Sequence, residues 1–421
     1  MYTWKNVLLT GFALFAMLFG AGNLIFPPML GKTLGDVWLT GTIAFILTGV
    51  GFPLLGIIST ALSGKKDINE FADKVSPLFA KIFFIALILA IGPLLAIPRT
   101  GATAYEITFL HAGVSSSLYK YVYLVLYFGI TLLFSLKANK VVDRIGSILT
   151  PILLAMLFII IVKGVSSPLG VPVAGTILTP FKNGFIEGYQ TMDTLASIVF
   201  AGVILKSIRG DRELSPKQEF SFLIQVSIIA CLGLSIVYGG LSFIGASVSG
   251  MGSELGKTEL LVYLTTTLLG KSGYAILGIC VAGACLTTAI GLVATVADYF
   301  SKITSLSYEI LAVLTTIVSF IFACFGVDVI VKIAVPVLVF LYPLAMALIL
   351  LNVFQIQNHF VFKGTCLGAG LISFYEMLGV LGVQNEFLAN IYSFLPFSSL
   401  GFAWLVPAVL GGVLFRLIKK N

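Results

Sequence analysis

A Gly-rich tetrapeptide lies near the middle of the first membrane-length apolar run of this chain. Residues 20–23 read Gly-Ala-Gly-Asn, and the surrounding run spans residues 7–30. Lipid offers no hydrogen-bond partners, so backbone groups freed by a helix break must be satisfied by neighbouring helices, by water or by a bound solute. We expect unwound backbone here to form a binding site at the centre of the membrane. A simple kink or a small-residue helix contact is the alternative.

A second polar break lies in the sixth apolar run, at 180–207. Residues 188–197 read Gly-Tyr-Gln-Thr-Met-Asp-Thr-Leu-Ala-Ser, which is unusually polar for a spanning segment. An ionisable residue inside a span is a functional hypothesis by default. We expect Asp193 to bind a ligand or a cation, to carry a proton, or to cap the helix that begins at Thr194.

The composition is that of a polytopic membrane protein. Hydrophobic residues make up 58% of the 421 residues and charged residues 10%, whereas soluble domains carry about 25% charged residues. We expect an all-α protein with about 12 transmembrane helices and almost no soluble domain. Twelve apolar runs reach the spanning length of about 20 residues, at 7–30, 37–62, 78–110, 118–136, 142–162, 180–207, 219–248, 272–301, 307–325, 327–353, 364–383 and 394–416.

The two broken runs are the first and the sixth. That spacing is expected if spans one to five and spans six to ten are inverted repeats whose breaks meet at one site. We therefore expect one transmembrane domain over 1–421, with repeat one at about 7–162, repeat two at about 180–353 and peripheral helices at about 364–416.

The distribution of Lys and Arg predicts that both termini are cytoplasmic. With the N-terminus inside, most of the 25 basic residues, Lys66 and Lys217 among them, fall on the cytoplasmic side. The first run is interpreted as a retained helix and not as a cleaved signal peptide. The net charge of +7 follows from this topology and from contact with anionic lipid, so no nucleic-acid partner is expected.

The sequence lacks the common motifs of catalysis and metal binding. Its five cysteines lie inside predicted spans without a Cys-x-x-Cys pair, and its two histidines stand in different loops. We find no His-Glu-x-x-His, no Gly-x-Ser-x-Gly and no phosphate-binding Gly-x-x-x-x-Gly-Lys-Ser/Thr motif. We therefore expect neither an enzyme nor a tightly bound cofactor.

Three motifs of the chain are long and uncommon. They are Leu18-Phe-Gly-Ala-Gly-Asn-Leu-Ile-Phe-Pro-Pro28, Ile91-Gly-Pro-Leu-Leu-Ala-Ile-Pro-Arg-Thr-Gly-Ala-Thr-Ala-Tyr-Glu106 and Tyr189-Gln-Thr-Met-Asp-Thr-Leu-Ala196. They resemble motifs of the bacterial branched-chain amino acid:cation symporters, the LIVCS family, and the resemblance covers essentially the whole chain. It implies cation-coupled uptake of leucine, isoleucine and valine across the bacterial cytoplasmic membrane. It also implies the five-plus-five inverted-repeat fold of the amino acid-polyamine-organocation superfamily, with spans eleven and twelve outside the repeat.

An amino acid held at mid-membrane needs donors for its carboxylate and acceptors for its ammonium group. Half-helix ends supply both. We expect backbone N–H groups of the first break to face the carboxylate and carbonyls of the second break to face the ammonium group. A helix N-cap role is the alternative for Asn23. The predicted substrate-binding residues are Gly20, Ala21, Gly22, Asn23, Gln190, Thr191, Met192 and Asp193.

Span eight offers a candidate cation site. Thr287 and Thr288 place adjacent hydroxyls in an apolar helix, three and four residues after Ala284. The resemblance implies that a sodium ion lies between these groups and carbonyls of Ala16 and Phe19 in span one. Ligation by oxygen alone suits Na⁺. In the alternative, both hydroxyls bond to their own helix backbone.

A third set of ionisable residues suggests an outward gate. Arg99 lies in span three, and we expect it to pair with Glu106 or Glu187. Snorkelling of Arg99 towards the outer interface is the alternative.

Taken together, these patterns predict a secondary symporter that binds a branched-chain amino acid and a cation at the junction of spans one, six and eight. Na⁺ is the expected coupling ion. A proton-coupled carrier, in which Asp193 titrates, is the first alternative. A channel would favour a continuous polar stripe, and a sensor would normally add a soluble signalling segment, so both are less favoured.

Overall fold

The computed structural model describes residues 3–63, 69–109, 117–136, 140–175, 177–199, 216–251, 254–383 and 385–418. Within these ranges the chain forms helices and no strands. In chain order the helices are α1 Trp4–Leu18, α2 Ala21–Leu34, α3 Trp38–Ile46, α4 Phe52–Ser63, α5 Pro77–Leu89, α6 Ala96–Phe109, α7 Ser117–Ser135, α8 Lys140–Ser166, α9 Pro180–Tyr189, α10 at 193–199, α11 Pro216–Ala246, α12 Lys257–Ile303, α13 Tyr308–Ala323, α14 Val327–Val353, α15 His359–Val380, α16 Glu386–Ser393 and α17 Leu405–Ile418.

Six helical segments of the described residues are long and apolar enough to cross a membrane, and four shorter apolar helices accompany them. Short π-helical turns at Leu47–Gly51 and Ala90–Leu94 join α3 to α4 and α5 to α6. The part of the sixth predicted span beyond residue 199 lies outside the described residues. Most predicted spans coincide with a helix or with a pair of helices.

Two predicted spans differ from the structure at their starts. The eighth was placed at 272–301, but α12 begins at Lys257 and continues through Gly270, where φ is +72°. This residue separates the helical segment at 257–269 from the span itself, because the positive φ interrupts the helix. The twelfth was placed at 394–416, but α17 begins at Leu405. Positive φ angles at Phe397 and Gly401 produce turns before it.

The first predicted break is present between α1 and α2. Helix α1 ends at Leu18, and Gly20 precedes α2 in an extended conformation, with φ −110° and ψ −174°. The second predicted break separates α9 from α10. Gln190 and Thr191 form a turn after α9, and Met192 adopts a φ of +62°. A positive φ is uncommon for a residue other than glycine, and such conformations cluster at functional sites.

Glycines let backbones of neighbouring helices touch around the outer half-helices. A Cβ at Gly245 of α11 would overlap the carbonyl oxygen of Pro28 in α2. A Cβ at Gly184 of α9 would likewise overlap the carbonyl oxygen of Gly41 in α3. Such small-residue contacts are typical of membrane helices, which gain stability from close packing. Helix α2 is therefore held against α11, and α9 against α3.

The peripheral helices α15 and α17 pack on each other in the same way. A Cβ at Gly364 would overlap the carbonyl oxygen of Gly411, and a Cβ at Gly368 would overlap that of Pro407. Helix α15 also packs on α14. The two peripheral helices thus form a hairpin against the outside of the bundle.

Candidate functional site

The two helix breaks meet at the side chain of Asn23. This buried side chain, 1% exposed, donates from Nδ2 to the carbonyl of Leu18 (2.9 Å) and to Oδ2 of Asp193 (2.7 Å). The hydroxyl of Tyr238 in α11 lies within hydrogen-bond distance of the same amide. One side chain therefore joins the end of α1, the start of α2 and the start of α10.

The position of Asn23 in the helix explains its reach. It is the third residue of α2, and its side chain extends back across the break to the carbonyl of Leu18. Leu18 is the last residue of α1, and the last carbonyls of a helix have no partner within that helix. The residue that precedes α2 is Gly20, which has no side chain to cap the helix. The N-cap alternative for Asn23 is therefore wrong. Since Gly20 provides no cap, the first-turn N–H groups of Ala21 and Gly22 stay available for a ligand.

Backbone groups at the second break are partly occupied. The carbonyl of Gln190 accepts a hydrogen bond from Nη1 of Arg99 at 2.6 Å. The carbonyl of Met192 accepts from the N–H of Ala196 at 2.9 Å, as part of α10. The carboxylate of Asp193 is therefore the main acceptor left for a ligand at this break. Its two oxygens can accept several hydrogen bonds, and Asn23 occupies only one of these positions.

Arg99 lies at the junction of the breaks and not near the outer interface. Its side chain is 4% exposed, and its guanidinium carbon lies 5.3 Å from the centre of the Phe26 ring. The predicted pairing with Glu106 or Glu187 is absent from the described residues, and the side chain does not snorkel. Instead, Arg99 tethers α6 to the turn after α9 through Gln190.

The two glutamates lie elsewhere. Glu106 accepts hydrogen bonds from the hydroxyl of Thr258 (2.5 Å) and from the N–H of Val327 (3.0 Å). It thus connects α6 to the segment of α12 before Gly270 and to the first residue of α14, where a carboxylate is favoured by the helix dipole. Glu187 interacts electrostatically with Lys257, the first residue of α12.

The candidate cation site shows the alternative hydrogen-bond pattern. The hydroxyls of Thr287 and Thr288 both donate to the carbonyl of Ala284, at 2.9 and 3.0 Å. A hydroxyl that donates its proton keeps oxygen lone pairs for a cation, so the bond does not decide the role of either residue. The two threonines differ in position, because only Thr288 lines the central cavity. The predicted partners Ala16 and Phe19 are not among the lining residues.

A cavity of about 60 Å³ lies where these elements meet. It has room for a few water molecules and is smaller than a typical site for a small molecule, which is about 300–1,000 Å³. An amino acid side chain therefore requires the site to widen. Gly22 and Gln190 are not among the lining residues. The predicted residues that line the cavity are Gly20, Ala21, Asn23, Thr191, Met192, Asp193, Arg99 and Thr288.

Tyr238 is a residue of the site that the sequence analysis did not find. It is buried, and it contacts Asn23 and packs edge-on against Phe45 with ring centres 5.2 Å apart. In the sequence it is one tyrosine inside an apolar run, with no polar neighbours that distinguish it from a core aromatic residue.

Comparison with known proteins places the chain in a family. A family model described as "Branched-chain amino acid transport protein" matches residues 3–421. The chain is 41% identical over 428 residues to the branched-chain amino acid permease BraB of Bacillus subtilis (strain 168), with 97% of this chain and 94% of the permease covered. It is 35% identical over 421 residues to the permease BrnQ of the same organism, with 97% and 95% covered.

Solved structures show the same fold at low sequence identity. The inward-facing conformation of Mhp1 gives a TM-score of 0.65 at 16% identity and covers 98% of this chain and 91% of Mhp1. The structure of MhsT in complex with L-phenylalanine gives 0.61 at 15% identity, with 99% and 98% covered. Both are transporters of the LeuT fold, which confirms the predicted fold class. The chain, a transport protein and not an enzyme, belongs to the branched-chain amino acid transport protein family.

Proposed function

We propose that the protein is a secondary symporter that carries leucine, isoleucine or valine into a bacterial cell together with Na⁺. The observation that carries this proposal is the meeting of the two helix breaks at Asn23 and Asp193, beside a cavity inside the bundle. Unwound backbone at membrane depth is tolerated where it lines such a cavity. The family and the permeases named above support the choice of substrate.

The breaks supply complementary groups for a zwitterion. N–H groups at the start of α2 and the positive end of that helix favour a carboxylate. The carboxylate of Asp193 lines the same cavity and favours an ammonium group. No covalent step is required, since transport needs only binding and a change of access.

The proposed orientation has both termini in the cytoplasm. Ala196 and Leu292 then lie on the cytoplasmic side of the breaks and line the cavity. On the outer side, Glu106 connects α6, α12 and α14. The arrangement therefore fits a state closed to the outside, in which substrate leaves towards the cytoplasm. Opening to the outside requires the Glu106 contacts to separate.

Sodium coupling is assigned to Thr288 because it alone of the two threonines lines the cavity. The test is uptake of labelled leucine into proteoliposomes, with Na⁺ and pH gradients imposed separately. Thr288→Ala should shift the Na⁺ dependence to concentrations at least about threefold higher, since it removes one oxygen ligand worth about one hydrogen bond. Thr287→Ala is the matched control. The hydroxyl of Thr287 donates to the same carbonyl of Ala284, but Thr287 does not line the cavity. Wild-type curves for both variants would exclude the span-eight site.

A proton-coupled carrier is the second candidate. It is favoured by the burial of Asp193, which is 7% exposed and has Asn23 as a neutral partner. Uptake that responds to the pH gradient and not to Na⁺, and that loses this response in Asp193→Asn, would support it over Na⁺ coupling.

A further inference from the structure

The guanidinium group of Arg99 has one side bonded and one side open. Nη1 donates to the carbonyl of Gln190 at 2.6 Å. Nε is buried without a hydrogen-bond partner, and no hydrogen bond donated by Nη2 is found among the described residues. The N–H groups of Nε and Nη2 point in one direction, and this edge binds a carboxylate through two parallel hydrogen bonds. The side left open is thus an edge suited to a carboxylate.

This charge is buried without a contacting anion. Among the described residues, no carboxylate oxygen lies within 4.0 Å of the Arg99 nitrogens. A carbonyl and the face of Phe26 contact it instead. A buried cation is costly unless it is paired and its donors are satisfied. Asp193 acts on Arg99 electrostatically but does not contact it. The unbonded edge of the guanidinium is therefore incomplete without an anion, and an anionic group that enters the cavity completes it.

The opposite charge faces the same cavity. Asp193 is held by Asn23 and not by Arg99, and both charged side chains line the cavity. Two opposite charges, each nearly fully buried and kept apart by neutral partners, match the two charges of an α-amino acid. A ligand with only one of these charges leaves the other protein group unpaired.

The surrounding backbone supports the position of the carboxylate. A Cβ at Gly22 would lie 2.8 Å from Nη2, so the guanidinium rests against the first turn of α2. The first turn of α2, whose N–H groups lack a cap, thus lies directly beside the unbonded edge of Arg99. A side chain at position 22 would displace the guanidinium.

We propose that Arg99 binds the carboxylate of the transported amino acid, while Asp193 receives its ammonium group. This inference rests on the proposed function. It assigns binding partners to the carboxylate and the ammonium group, which every α-amino acid shares. Selection among aliphatic side chains is then left to the apolar wall of the widened site. Amides, amines without a carboxylate and 2-oxo acids are excluded as ligands.

The test compares leucine with leucinamide, which keeps the ammonium group and the aliphatic side chain but lacks the carboxylate. Affinities are measured on purified protein for the wild type, Arg99→Gln and Arg99→Lys. The wild type should prefer leucine by at least about 100-fold, because leucinamide leaves a buried charge unpaired. Arg99→Gln should reduce this preference to less than about tenfold, and Arg99→Lys should restore part of it. A merely structural role of Arg99 would weaken both ligands equally and keep their ratio.

Two further variants keep the test informative if Arg99→Gln does not fold. Gly22→Ala retains the charge but displaces Nη2, so it should also lower the leucine-to-leucinamide ratio. Asp298→Asn is the control for charge removal, since Asp298 lies in an exposed ion pair with Lys302 and should leave the ratio unchanged. Equal wild-type affinity for leucine and leucinamide would overturn the inference. Absence of wild-type leucine binding would instead overturn the proposed function.

Discussion

Asn23 connects the two helix breaks through one amide group. It bonds to Leu18 within its own span and to Asp193, which is 170 positions further along the chain. A buried donor or acceptor that loses its partner costs about 1–3 kcal/mol. Asn23 thus contributes both to the stability of the breaks and to the shape of the cavity.

We expect Asn23→Ala to lower the melting temperature and to weaken leucine binding, because Leu18 and Asp193 both lose a donor. Asn352→Ala is the matched control. Asn352 is also buried, and it donates to the carbonyls of Phe71 and Leu348 away from the cavity. This control should lower the melting temperature without changing leucine affinity. Equal loss of affinity in both variants would show that the effect of Asn23 is only structural.

The two glycines of the first break have different surroundings. A Cβ at Gly22 would approach Arg99 to 2.8 Å and Phe26 to 3.0 Å, whereas a Cβ at Gly20 has only the Asn23 side chain nearby, at 3.8 Å. We expect Gly22→Ala to weaken leucine binding at least about tenfold, or 1.4 kcal/mol. Gly20→Ala should bind nearly as the wild type does. Binding isotherms on purified protein measure both, and a larger loss in Gly20→Ala would contradict the geometry.

The residues of the site differ in how far the sequence could predict them. Asp193 and the Gly20 break were predicted because a carboxylate or a glycine pair inside an apolar run is costly without a role. The position of Arg99 was not, because its long side chain can reach either the outer interface or the bundle centre. Only the bond from Arg99 to the carbonyl of Gln190, in the turn after α9, decides between them. Tyr238 was missed because no polar neighbour in the sequence distinguishes it from a core aromatic residue.

At the scale of helices, glycine contacts decide which elements are held together. Helix α11 contains two informative positions, since a Cβ at Gly245 would overlap Pro28 of α2, whereas a Cβ at Gly239 meets nothing within 4 Å. The backbone of α2 therefore touches α11 at Gly245 and leaves Gly239 free.

We expect Gly245→Ala to destabilise the protein by about 1–3 kcal/mol, because the added methyl group overpacks the contact. Gly239→Ala should be neutral or stabilising, since alanine is favoured over glycine in a helix by about 0.5–1 kcal/mol. Thermal unfolding in detergent measures both. A lower melting temperature for Gly239→Ala than for Gly245→Ala would reject the assigned α2–α11 contact.

Helix existence was predicted better than helix boundaries. The breaks of spans one and six follow from polar and glycine-rich stretches inside apolar runs. The start of α12 was not predicted. Residues 258–269 mix apolar residues with threonines, so their pattern indicates neither a membrane span nor a loop. The left-handed conformation of Gly270 divides this long helix, and a lone glycine in the sequence does not reveal its φ angle.

For the molecule as a whole, α12 provides a test of orientation. Lys271, directly after Gly270, and Lys302, near the C-terminal end of α12, are both exposed and lie at opposite ends of its spanning part. With the N-terminus inside, a cysteine introduced at Lys271 should react with an impermeant thiol reagent in intact cells, and one at Lys302 should react only after permeabilisation. A cysteine at Lys217 should behave like the one at Lys302. Lys66, the other predicted cytoplasmic position, lies outside the described residues. The reverse labelling pattern would invert the topology.

Membrane insertion is the step most affected by the hairpin of α15 and α17. Their backbones touch at Gly364 and Gly411, so the glycine face of α15 lacks its partner until the ribosome has delivered α17. Helix α15 also carries Glu376, whose bond to the hydroxyl of Tyr392 in α16 forms only after that later segment emerges. A carboxylate at membrane depth is costly while unpaired. Premature stop codons after α15 should therefore yield a chain that quality-control proteases remove, although all residues of the transport site would already have been made.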